Sequence, residues 1–193
     1  MAEPNETYAV HLLDTDDPME ALKDLERQIN EQNYRMAEAF SEAFIYGGIG
    51  CIDNATTTTI TTAEVKYKFT EFDTNHATNG MIADHTQNHI EVESDGIYMI
   101  MGSVTVQSPG GGGFTLELEV MKNNGAALIG QCHVDRDLSG GGSELGSMSL
   151  CSMGKLAKGD TIELWVENET STENPTLEDV SLCVIKISNE AAG

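Results

Sequence analysis

Two rhythms of apolar positions run along this chain, and they meet near residue 47. Between residues 17 and 46, apolar side chains return every three to four positions. Leu22, Ile29, Met36 and Ala43 fill one heptad core position, and Leu25, Gln32, Ala39 and Tyr46 fill the other. The opposite face is polar, with Lys23, Glu26, Arg27, Asn30 and Glu31. A heptad sustained over about four repeats predicts a coiled-coil helix that packs on copies of itself rather than on its own domain. Asp17 suits the N-cap, Pro18 the first helical position, and Glu20 completes a capping-box-like pattern. Gly47-Gly48 stops the helix. Gln32 becomes a polar core layer, which fixes register or strand number at some cost in stability.

Beyond that point the period falls to two. Val65-Lys66-Tyr67-Lys68-Phe69, Ile90-Glu91-Val92-Glu93, Phe114-Thr115-Leu116-Glu117-Leu118-Glu119-Val120 and Ile162-Glu163-Leu164-Trp165-Val166-Glu167 all alternate, as half-buried strands do. Residues 180–187 predict a last strand. Asn79-Gly80, Asp95-Gly96, Asn123-Asn124-Gly125, Gly140-Gly141-Gly142, Gly159-Asp160 and Asn174-Pro175 supply the turns. The chain therefore divides into a stretch over 1–16, a helix over 17–46, a glycine-rich linker over 47–59 and an all-β sandwich over 60–193. Tyr98 and Trp165 are its large aromatic candidates for the core or a subunit contact.

Charge narrows the function. The chain carries 32 acidic and 10 basic residues, a net charge of −22. Residues 1–46 hold 11 acids against 3 bases, and residues 47–193 hold 21 against 7. With no basic stripe, nucleic-acid binding is not expected, and an anionic membrane surface repels the chain. The longest apolar runs, such as residues 97–101, are far shorter than a membrane span. The acidic start, Met-Ala-Glu-Pro-Asn-Glu, has no apolar signal region, so the chain is expected to stay in the compartment where it is made. Cys51, Cys132, Cys151 and Cys183 are then expected as buried, reduced thiols.

The β region resembles the TNF/C1q-like jelly-roll superfamily. The resemblance rests on Ile90-Glu-Val-Glu-Ser-Asp-Gly-Ile-Tyr-Met-Ile, on the Val120-Met-Lys-Asn-Asn-Gly hairpin and on Leu156-Ala-Lys-Gly-Asp-Thr-Ile-Glu-Leu-Trp-Val, and it covers about residues 60–188. Asp84-His85-Thr86 and the stretch from Glu163 to Thr170 are similar to phage-encoded versions of the head. The resemblance implies a homotrimer that binds or scaffolds rather than catalyses, of the kind found in capsid decoration or head-fibre proteins on the outer surface of a virion. The helix and the first 16 residues lie outside it. Fold membership alone does not fix function.

Sequence patterns for catalysis are weak. His85 and His89 flank the start of a strand and lack a third ligand at a familiar spacing. His133-Val134-Asp135-Arg136-Asp137 reads as a solvated turn between a strand and a glycine-rich loop. Leu145-Gly146-Ser147-Met148-Ser149 fails the nucleophile-elbow pattern. The run from Pro109 to Gly113 lacks the Lys-Ser/Thr of a phosphate loop. The expectation is no enzyme, no cofactor and no metal. The stretch over 1–16 pairs acidity with an apolar patch, in which Tyr8, Val10, Leu12 and Leu13 are candidate anchor residues. The partners expected are two more copies of the chain and, through this arm, a major capsid or other virion protein. The alternative is a tail-fibre or receptor-binding protein whose head loops hold a host-surface glycan.

Overall fold

The computed structural model describes residues 18–140 and 144–189 and, within the helix, the side chains of residues 19–36. Tyr8, Val10, Leu12 and Leu13 lie outside the described residues, as do the side chains of Ala39 and Ala43. The chain divides into two units, residues 1–43 and 44–193.

In the first unit, α1 runs Pro18–Ala43. Arg27 and Gln28 each donate to the Asp24 carboxylate one turn back, and Arg35 donates to Glu31 at 3.0 Å. These i,i+3 and i,i+4 pairs support the helix by a few tenths of a kcal/mol, on the order of 0.2–0.5 each. The heptad residues Leu22, Ile29 and Met36 are 59, 49 and 53% exposed, so this apolar stripe is unburied in a single chain. Gln32 is exposed and Leu25 half-buried. No described helix is long and apolar enough to cross a membrane.

The helix ends three residues earlier than its heptad pattern predicts. Tyr46 is not a coiled-coil position. Its backbone N–H and C=O both bond to Asn79, at 2.9 and 2.8 Å, and it pairs with Ile185. Nor do residues 47–59 form only a linker, because a strand runs through Tyr46–Cys51.

The second unit is a sandwich of eleven described strands: β1 Tyr46–Cys51, β2 Lys66–Lys68, β3 Thr74–Asn75, β4 Met81–Asp84, β5 His89–Val92, β6 Gly96–Gln107, β7 Phe114–Lys122, β8 Ala127–Leu138, β9 Leu145–Leu156, β10 Thr161–Asn168 and β11 Thr176–Ser188. The first sheet has the order β3-β1-β11-β6-β9 and the second β4-β5-β10-β7-β8, with β2 also pairing β10. All these pairings are antiparallel. Alternate residues of each long strand face inward. Ile49, Ile100, Leu182 and Val184 from the first sheet meet Ile90, Leu116, Leu118, Ile162 and Leu164 from the second, all fully buried. Tyr98 belongs to this core, and its hydroxyl donates to the Ser94 carbonyl at 2.6 Å.

A seam joins the edge strands β8 and β9. Gly130 has φ +55°, and a Cβ there would collide with the Met153 carbonyl, so the backbones touch only because the residue is glycine. Ser152 Oγ donates to the Gly130 carbonyl at 2.6 Å. Arg136 crosses to β9 over Gly146 and donates to the Ser147 carbonyl at 3.0 Å. Residues 133–137, expected as a turn, are therefore part of a twelve-residue strand.

Candidate functional site

The outer face of the first sheet departs from the rest of the chain in composition. Strand register places Tyr46, Ile185, Met99 and Met153 in one cross-strand row. The next row is Gly48, Cys183, Met101 and Cys151, and the third is Gly50, Ser181, Ser103 and Ser149. None of the twelve positions in these three alternate rows carries a charge, in a chain of net −22. The first two rows are mostly apolar or sulfur-bearing. Met153 is 63% exposed and Ile187, further along β11, 52%. An exposed apolar patch rimmed by polar residues marks a surface that meets another surface.

The third row, built of small residues, opens into a groove of about 590 Å³ lined also by Asp73, Thr74, His76 and Asp179. His76 shapes one wall. Its ring lies against β1, where a Cβ on Gly50 would stand 2.6 Å from Nε2 and one on Gly48 2.9 Å from Nδ1. Its backbone N–H donates to the Gly48 carbonyl at 2.9 Å, and Asp73 N–H donates to Gly50 at 3.1 Å. These glycines are required for space, not for flexibility. His76 Nδ1 is 3.9 Å from Cys183 Sγ.

The four cysteines are free thiols. Burial pushes the Cys51 thiol up to about 11, with the nearby Asp73, Glu71 and Asp179 charges adding to it, and burial pushes Cys132 up to about 12. Both stay protonated and unreactive at neutral pH. Cys151, expected to be buried, is exposed on β9, and Cys183 is half-buried on the same face.

The second sheet's outer face is charged. Lys68 pairs with Glu163 at 3.2 Å, and Lys66 donates to Glu119 at 2.7 Å; both glutamates are nearly buried. Trp165 lies on this face, half-buried, and not in the inward-facing core. Its Nε1 donates to Glu163 at 3.2 Å, and its ring covers Gly125 of the Asn123-Asn124-Gly125 turn.

The short motifs turn out to build turns. Asp84 Oδ1 accepts from Thr86 N–H, Thr86 Oγ1 and Gln87 N–H, closing the β4–β5 hairpin, while His85 sits in the turn and bonds Asn75. Asn168 is fully buried; its Oδ1 accepts from the Thr170 and Ser171 amides, and its Nδ2 donates to the Glu173 carbonyl. Burial alone would raise the Asp160 carboxyl, but donors from Asn123 (2.7 Å), Lys122 (2.9 Å) and the Ala157 amide (3.0 Å) hold it below its ordinary range.

What the sequence did not reveal was the neutral face itself, because its residues come from four strands. The available signal was the absence of charge at alternate positions of residues 97–103, 145–153 and 181–185.

No family pattern matches the chain, and no curated protein matches it in sequence. Among solved structures, that of the Eiger TNF from S. frugiperda superposes with a TM-score of 0.54 at 13% identity, covering 78% of this chain and 96% of that one. The β unit is thus an all-β sandwich resembling the TNF jelly roll.

Proposed function

We propose that this chain is a non-enzymatic, homotrimeric structural protein of a phage virion, a capsid decoration or head-fibre protein. Three copies pack through the outer face of the first sheet, α1 forms a three-stranded coiled coil, and residues 1–16 anchor the trimer while the jelly-roll head faces outward. The observation that carries the trimer is the run of uncharged positions across β1, β11, β6 and β9. In so acidic a chain, a neutral face is where a second copy can approach without facing like charge. Self-association through one patch of each copy also fits the small third row, which leaves room for a neighbour's side chains. The exposed heptad residues Leu22, Ile29 and Met36 support self-association along the stem as well.

The virion setting rests on the sequence resemblance and on the apolar arm. Burial of Tyr8, Val10, Leu12 and Leu13 stabilises by roughly 25 cal/mol per Å², against backbone ordering of roughly 1–2 kcal/mol per residue. One arm is then near balance, and three acting together bind. The test is to delete residues 2–16 and mix the purified protein with particles stripped of it. The truncated protein should fail to rebind while remaining assembled. Equal rebinding would move the anchor elsewhere and favour the tail-fibre reading.

A further inference from the structure

On the outer face of the second sheet, like charges stand directly opposite one another. Glu167 on β10 is registered with Glu117 on β7, and Glu117 with Asp135 on β8. Such pairs destabilise a sheet unless something offsets them. Lys66 is registered with Glu167, yet its ammonium is bonded to Glu119 at 2.7 Å.

Into this row His133 brings an imidazole. Its Nδ1 is 2.8 Å from Glu117 Oε1 and 3.8 Å from Asp135 Oδ1. One donor atom from each of the three residues lies within 4.8 Å of the others. A tetrahedral centre with bonds of about 2.1 Å places its ligand atoms roughly 3.4 Å apart, and the two measured distances bracket that spacing. All three residues sit on paired strands rather than loops, so the backbone holds them in place.

We propose that Glu117, His133 and Asp135 form a surface site for one divalent ion of borderline softness, Zn²⁺ or a similar transition metal. One imidazole nitrogen and two carboxylate oxygens suit such an ion, whereas Ca²⁺ takes six to eight oxygens. The ion is held by Nδ1 of the neutral imidazole, whose single N–H then sits on Nε2, so a proton passes to solvent only from a doubly protonated ring; the fourth position is left to water or to a donor from another molecule. The ion sits on the surface and offsets the carboxylate row; the core does not depend on it.

Zn²⁺ titration of the full-length protein by calorimetry at pH 7 tests this. One site per chain is expected. His133→Ala and Asp135→Asn should each weaken it at least about tenfold, while Cys151→Ser leaves it unchanged. Both His133 and Asp135 are about half exposed, so metal-free melting of the two variants should match the parent. Unchanged Zn²⁺ affinity in His133→Ala, loss of it in Cys151→Ser, tighter binding of Ca²⁺ than of Zn²⁺, or no binding at about 1 mM would each overturn the assignment.

Discussion

At the scale of single residues, several side chains matter for reasons that only tertiary placement reveals. Gly48 and Gly50 read in the sequence as a flexible joint. In the fold they belong to β1, because the His76 ring occupies the space their side chains would need. His76 lies far downstream, so no local pattern could link them. The opposite holds for Asn123, Asn124 and Gly125, which all have positive φ, between 55 and 80°. Asn and Gly are the residues that adopt that conformation, and the turn was legible. Asp160 makes a quantitative case. Asp160→Asn should cost about 1–3 kcal/mol, since it weakens charge-assisted bonds from Lys122 and Asn123. The Asp160 carboxyl is held below its unfolded value of about 3.9. Its contribution is therefore complete above that value and is lost as pH falls through the folded one. Denaturant titrations should show a constant gap between parent and variant from about pH 7 to 5, narrowing below about pH 4.

At the scale of elements, legibility followed polarity. Strands with one polar face, β5, β7 and β10, announced themselves by alternation. β9 did not, because Leu145, Cys151 and Met153 on its outer face are as apolar as Met148 and Leu150 on its inner face. Period-two contrast vanishes when both faces shun water. β8 does alternate, but the Gly140-Gly141-Gly142 run beside it drew residues 133–137 into an expected turn. The helix was legible at its start, where Asp17, Pro18 and Glu20 agree. Its end was misplaced because heptad spacing happens to continue to Tyr46, whose backbone the sheet claims. For the helix, Leu25→Asp with Ile29→Asp should reduce the 222 nm circular dichroism and lower the melting temperature of the stem, since both charges would enter the seam of the proposed coiled coil. An unchanged stem signal would mean that α1 forms no coiled coil.

At the scale of the molecule, charge is sorted by face. The second sheet carries its acids and lysines outward, and the first carries three neutral rows outward. The overall sandwich was readable from the order of the strand and turn motifs, which fall on β5, β6, β7 and β10. The neutral face was not, because it is assembled from residues far apart in sequence. If that face joins three heads, residues 44–193 alone should assemble. Met99→Glu with Met101→Glu in that unit should then leave its β-sheet dichroism intact while reducing its mass to that of one head, because a buried charge without a partner is strongly unfavourable. Assembly that survives both glutamates would place the contact on another surface.

The proposed trimer would join the stem, the neutral face and the shared arms, and sedimentation of the full-length chain at micromolar concentration tests it most directly. A single species of three times the 20.8 kDa chain mass is expected. A stable species of 20.8 kDa at that concentration would contradict it.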